Sequence, residues 1–167
     1  MKRNSTSYAA GRAGEHAPSQ VPHSYRILVV DDDSVIRLLS SAALIRSGYQ
    51  VETAEDGEIG WEALHSKSYD LLITDNNMPK VSGIELVKKL RSTGLSLPVI
   101  LVSGAMPTED LTRHPWLQVA ATLLKPFSGE ELLEIVKKVL RETGSTGHQL
   151  EPETIWRGHP SVHSLPV

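Results

Sequence analysis

Three consecutive acids, Asp31, Asp32 and Asp33, follow the apolar run "ILVV", and Asp75 closes a second such run in "LLITDNNMP". Ser103 ends a third run in "PVILVSG", and Lys125 ends a fourth in "ATLLKPF". Each of these is ordinary alone, because Asp and Asn open turns and Pro79 keeps Met78 out of the helical region. As a set they can do chemistry. Asp31, Asp32 and Asp75 in one place would repel one another unless a cation joined them. Magnesium suits such oxygen ligands, taking one or two carboxylates and keeping several waters. Lys125 supplies fixed positive charge for a carboxylate or a phosphoryl oxygen, and Ser103 supplies a hydroxyl donor. A carboxylate held there can act as a nucleophile toward a phosphoryl group and form an acyl phosphate. The cation and the lysine would offset the charge that develops on the transferred group. Asp33, at the start of a helical stretch, is favourable to the helix dipole and is given no chemistry.

The elements that must position these residues alternate along the chain. Short β-rich runs lie at 25–30, 50–54, 71–74, 98–103 and 121–124, with amphipathic stretches between and after them. Ser34 is a candidate cap for "VIRLLSSAALIRS", which Gly48 can end in a left-handed C′ position. Asp56-Gly57 turns the chain into "EIGWEALHSK". Ser82 can cap "GIELVKKLRS", and Ser128, with Glu131 three residues on, opens "GEELLEIVKKVLRE". The fourth helix is irregular: Pro107 suits a first turn, whereas His114-Pro115 must end or interrupt it. Trp116, just past that break, reads as core packing. The Lys and Arg residues of the helices read as solvated faces. Strands alternating with helices predict an α/β fold, a doubly wound five-stranded parallel sheet with five helices. In the flavodoxin-like order 2-1-3-4-5, the carboxyl ends of strands one, three, four and five share one rim, where such sheets bind ligands.

The bulk composition is that of a globular domain: 40% apolar, 22% charged, net charge −3 and no cysteine in 167 residues. Disulfides, thiolate catalysis and Cys-based metal sites are therefore excluded. The charge offers no general attraction to nucleic acid or an anionic membrane, and no apolar run is long enough to span a bilayer. The N-terminus starts basic but has no apolar h-region, so it does not read as a secretory signal and a cytoplasmic address is expected. Residues 1–24 and 142–167, rich in Gly, Pro and Ser, read as a flexible leader and tail around a domain at 25–141. The tail's "ETIWRGHP" offers Trp156 as a docking anchor, with disorder the plainer reading. The 26 residues after Arg141 are too few for a DNA-binding output module with a core.

Taken in order, "ILVVDDD", "GYQVETAEDGEIGWEAL", "YDLLITDNNMP", "SGIELVKKLR", "PVILVSG" and "LLKPF" resemble the receiver domain of two-component response regulators over about residues 25–141. The resemblance implies that Asp75 accepts a phosphoryl group from the phosphohistidine of a histidine kinase or phosphotransfer protein, with Mg2+ required. It implies that Asp32 and Asp75 bind the metal directly, Asp31 mostly through water, and Asn77 through its backbone carbonyl. Ser103 would hydrogen-bond the phosphoryl group, Lys125 would contact both Asp75 and the phosphoryl oxygens, and Lys125-Pro126 would be cis. The expected whole is a stand-alone phospho-accepting regulator that also hydrolyses its own acyl phosphate and is not a turnover enzyme, with an output partner protein as a further expectation.

One position departs from the family pattern. Thr122 stands three residues before the lysine, where many receivers carry Tyr or Phe, so the usual aromatic lever is absent and a different output surface or onward relay is expected. Two rivals remain. "VVDDDSV" also fits the nucleophile motif of haloacid-dehalogenase-like phosphatases, with Asp31 as nucleophile and Asp33 as acid, but no Asp follows Asp110 to complete that metal site, and "TDNNMP" would have no role. The other is a pseudo-receiver, a binding module on the same fold that is never phosphorylated.

Overall fold

The computed structural model describes residues 24–144. Five strands, β1 (Arg26–Val30), β2 (Gln50–Ala54), β3 (Leu71–Asp75), β4 (Val99–Ser103) and β5 (Ala121–Leu124), form one sheet. All pairings are parallel and the order is β2-β1-β3-β4-β5. The helices are α1 (Ser34–Arg46), α2 (Gly57–Ser66), α3 (Gly83–Ser92), α4 (Thr108–Arg113) and α5 (Gly129–Gly144), with a 3-10 turn at Pro115–Leu117 after α4. The doubly wound sheet and its five helices are as expected. Tyr25 and Pro98 fall just outside β1 and β4, although their carbonyls still accept from Gln50 and Leu72. Proline, without an N–H, can serve a ladder only through its carbonyl.

Both faces of the sheet are covered, so the inner strands are apolar throughout and their side chains alternate between two cores. Ile27, Val29, Ile73 and Ile100 pack with Leu44 of α1 and Leu132 and Val136 of α5. Leu28, Val30, Leu72 and Leu101 pack on the other side with Leu86 and Leu90 of α3 and with Leu117. Each fully buried side chain of this kind contributes roughly 1.5–3 kcal/mol before chain entropy is counted.

The caps explain where helices start. Ser82 and Glu85 form a reciprocal capping box on α3, and Ser128 and Glu131 bond in the same way before α5. Asp56 caps α2 by accepting from the Ile59 N–H. α1 corrects the sequence reading: its cap is Asp33, which accepts from the Val35 and Ile36 N–H groups, and Ser34 is already helical. The reason is tertiary, since the Asp33 N–H donates to Asp31 Oδ1 at 2.9 Å and holds Asp33 extended. Gly48, at φ 89, follows the end of α1 as expected.

The fourth helix is six residues long, has no side-chain cap, and ends before the His114-Pro115 break. Trp116 does not pack in the core. It is 50% exposed while Leu117 is fully buried, because the 3-10 turn directs Leu117 inward and leaves its neighbour on the surface. Two helix cations are not solvated faces either. Arg37 Nη1 donates to the Asp31 carbonyl at 2.6 Å. The Arg91 guanidinium donates to the carbonyls of Leu117, Leu95 and Gln118, tying the 3-10 turn to α3.

Candidate functional site

The carboxyl ends of the strands bring the chemistry together. β1 and β3 run in register through Val30 and Thr74, so the residues that follow, Asp31 and Asp75, leave the sheet side by side. β3 pairs Asp75 with Val102 of β4, and the Asn76 N–H donates to the Val102 carbonyl at 2.7 Å. β4 pairs Ser103 with Leu124, and the Lys125 N–H donates to the Ser103 carbonyl at 2.9 Å. Asp31, Asp75 and Ser103 are buried, each about 3% exposed, whereas Asp32 lies open to solvent. Asp31, Asp32 and Asp75 each offer a carboxylate oxygen within 4.8 Å of the others.

Lys125 reaches into this group from the end of β5. Its Nζ stands 3.1 Å from Asp31 Oδ2 and 3.2 Å from Asp75 Oδ1. Pairing with Asp75 was expected; pairing with Asp31 was not, because sequence gives the strand ends but not which acid faces the lysine. Burial pushes the Asp31 carboxyl above its ordinary value, although Lys125, the Asp33 N–H and the neighbouring Asp75 all act on it as well. Lys125 loses some stability of its charge to burial, yet its two carboxylates outweigh that and raise its pKa. The two shifts agree physically: one lysine answers two acids, so the deeply buried Asp31 is under-compensated while the lysine is over-supplied.

Asp75 Oδ1 is fully buried and, apart from that ion pair, meets no donor in hydrogen-bond geometry. Buried polar atoms are seldom left so. An all-oxygen group of three acids facing one lysine therefore fits a hard divalent cation, and a phosphoryl group would find the same lysine.

The loop after Asp75 is held closely. The Gly83 N–H donates to the Asn76 carbonyl at 3.3 Å, and the Ile84 N–H donates to Asn76 Oδ1 at 3.3 Å. A Cβ on Gly83 would lie 2.3 Å from the Asp75 carbonyl oxygen, so α3 starts directly on the Asp75 backbone. Asn77 is exposed. Lys125-Pro126 is cis. Thr122 is half-buried on β5 opposite Leu101. Against the phosphatase rival, Asp33, its proposed acid, is occupied in capping α1. Residues that sequence reasoning passed over are Gly83, Arg37 and the Asp56–Lys80 pair; the glycine's place directly after a strong cap was the only readable signal among them. The expectation for Trp156 lies outside the described residues.

Comparison with known proteins agrees with this geometry. Residues 27–137 match the response regulator receiver domain family. Response regulator MprA of Mycobacterium ulcerans is 39% identical over 122 residues, covering 72% of this chain and 52% of that protein. The chain thus spans about half the length of the curated relatives it matches. Among solved structures, the chemotaxis response regulator CheY4 of Vibrio cholerae superposes with a TM-score of 0.64 at 32% identity, covering 70% of this chain and 98% of that one. A response regulator receiver protein from Pseudomonas putida gives 0.65 at 33% identity, covering 71% and 99%.

Proposed function

The chain belongs to the response regulator receiver domain family of two-component signalling, and from that membership we propose that it accepts a phosphoryl group on Asp75 from the phosphohistidine of a histidine kinase or phosphotransfer protein. The observation that carries the reading is the Asp75 carboxylate itself: buried, with Oδ1 3.2 Å from the Lys125 ammonium and meeting no other donor. A carboxylate oxygen of Asp75 attacks phosphorus as the phosphorus–nitrogen bond of the donor breaks. The departing imidazole keeps the electron pair, and an acyl phosphate is left on Asp75. Lys125 stays charged throughout, held so by Asp31 and Asp75, and neutralises the phosphoryl oxygens. Ser103 donates its hydroxyl to the same group.

Asp32 and Asp75 would hold Mg2+ with their carboxylates, helped by the Asn77 carbonyl and by Asp31. When bound, the metal supplies charge neutralisation for the transferred group. Attack of water on phosphorus reverses the modification and releases inorganic phosphate. The protein acts on itself, as a switch and not a turnover enzyme. The receiver unit is residues 25–141, the setting is cytoplasmic, and the output is a protein partner or onward relay, since Thr122 offers no aromatic lever. No described helix is long and apolar enough to cross a membrane.

The test is intact mass after incubation with acetyl phosphate and Mg2+, beside Asp75→Asn and a metal-free control. One added phosphoryl group in the wild type alone, and only with metal, is expected. Because fast hydrolysis could hide the adduct, beryllofluoride binding is followed in parallel, and absence of both signals overturns the reading in favour of an unphosphorylated binding module.

A further inference from the structure

Between Asp75 and α3 the chain makes a three-residue turn that costs backbone strain. The Val81 N–H donates to the Pro79 carbonyl at 2.8 Å, and Lys80 between them has φ 65. Turns of this hand are rare, and glycine is the residue that enters them freely. Here the position carries a lysine, and its side chain is engaged. Nζ lies 3.0 Å from Asp56 Oδ2 and 3.5 Å from Glu58 Oε2, both at the start of α2. Asp56 is itself buried and committed, since its other oxygen caps α2 at Ile59. Its remaining oxygen is the one that meets Lys80.

The backbones are already in contact there. A Cβ on Gly57 would lie 2.5 Å from the Val81 carbonyl oxygen, so the first turn of α2 abuts the loop. On its other side the loop is fastened to α3 through Asn76. Asn77 falls between these two anchors, Asn76 and Lys80.

We propose that Lys80 is a positioning residue for the metal-binding loop: its ammonium ties the loop to Asp56 and Glu58 and thereby holds the Asn77 carbonyl where a divalent cation needs it. This rests on the phospho-receiver reading for its metal, but not for the tie. The role has a distinctive sign. By charge alone, removing a cation from the loop would, if anything, tighten Mg2+ binding; by positioning, it weakens binding. The Lys80 side chain is 60% exposed, so the effect is bounded by what an exposed pair can supply, about fivefold at most.

Two readouts on the full chain separate the possibilities. In metal-free protein, backbone amide exchange at Asn77 and Met78 is compared between wild type, Lys80→Met, Lys80→Gly and Lys80→Arg. In parallel, Mg2+ affinity is measured by calorimetry, with Asp32→Asn as the loss-of-ligand control and thermal melting as the control for folding. The Met and Gly variants are expected to exchange about three- to fivefold faster at those amides and to bind Mg2+ more weakly by a similar factor. The Gly variant relieves the strained φ, so weakening there cannot come from strain, and Arg is expected to restore both values. Unchanged exchange in Lys80→Met, or equal or tighter Mg2+ binding with intact folding, overturns the positioning role. If wild-type protein binds no Mg2+ while Lys80→Met still speeds exchange, the tie stands and the phospho-receiver reading fails instead.

Discussion

The two halves of the rim are built differently. On the β1–β3 side, the residues that would meet metal and phosphoryl group are fixed by buried acids, a reciprocal capping box and two glycines that admit no Cβ. On the β4–β5 side, beyond Ser103, the chain runs through exposed Gly104, Ala105 and Met106 into a short uncapped helix and a 3-10 turn whose last contact is Gln118 in the left-handed region. Leu117 and the Arg91 guanidinium fasten that turn to α3 and the core. Chemistry needs carboxylates and a lysine held to fractions of an ångström, whereas a segment that changes its contacts on modification must cost little to move. The contrast sets the acids on a locked side, while Ser103 and Lys125 reach them from strand ends whose connecting segment is loosely held.

The sharpest break in that contrast is Lys125→Met. Asp31 and Asp75 would then share a buried site without their cation. Phosphoryl uptake is expected to fall by two or more orders of magnitude, as for loss of a charge that stabilises the transferred group. The metal-free fold should lose about 2–3 kcal/mol in a denaturant titration, somewhat less than for a fully buried pair because the lysine side chain is 21% exposed. Mg2+ should bind more tightly to the variant than to wild type, since a competing cation has gone. Weaker binding would show instead that the lysine mainly shapes the site.

The same substitution on both sides gives the next test. Gly83→Ala places a Cβ 2.3 Å from the Asp75 carbonyl oxygen, where backbone must yield, whereas Gly104→Ala meets nothing within 4 Å. The first is expected to cost about 2–3 kcal/mol and to slow phosphorylation; the second should stay within about 0.5 kcal/mol. Equal effects in thermal melts would erase the distinction between a locked and a permissive side.

Much of the locked side was legible in the sequence, and the reasons are local. β2 and β5 fall at their expected limits, and Ser82 with Glu85, like Ser128 with Glu131, carry their pairing in the spacing. The rim acids were legible because strand ends point there whatever the loops do. What sequence did not carry was any choice settled across the chain. Asp33 and Ser34 are both able caps, and only the bond from the Asp33 N–H to Asp31 selects the first. Trp116 and Leu117 are both apolar, and the three-residue turn, not hydropathy, decides which is buried. The reach of Lys125 to Asp31, of Lys80 to Asp56 and of Arg91 to Leu117 joins residues far apart in the chain, and no period encodes such pairs.

Arg91 tests how far the permissive side is fastened. Arg91→Met removes donors to the carbonyls of Leu117, Leu95 and Gln118 while keeping an apolar stem over α3. A loss of about 1–2 kcal/mol is expected, with faster amide exchange confined to the 3-10 turn and an unaltered rate of phosphoryl uptake. A slowed reaction would mean that the two sides communicate even before modification.

Acid titration separates the rim acids from the helix caps most finely. Asp56, Glu85 and Glu131 cap helices, and bonds from backbone N–H groups hold their carboxyls below the ordinary range; for Asp56 the Lys80 ammonium adds to this. A lowered folded pKa means that the unfolded chain binds protons first as pH falls. Their stabilisation is therefore complete above the unfolded value near 4 and is lost as pH drops through the folded values. Asp31 runs the other way: its carboxyl is raised by burial, so at neutral pH its charge opposes folding, and that cost is relieved as pH falls through its folded value and gone below the unfolded one. In chelator, Asp31→Asn should consequently be more stable than wild type at pH 7, with the gap closing on acidification, while Glu85→Gln should be slightly less stable at pH 7, with its gap also closing. Opposite signs at neutral pH, measured by denaturant titration, would place the strain on the acidic rim and the stability in the caps; a destabilised Asp31→Asn would show that its bonds to Lys125 and the Asp33 N–H outweigh its burial.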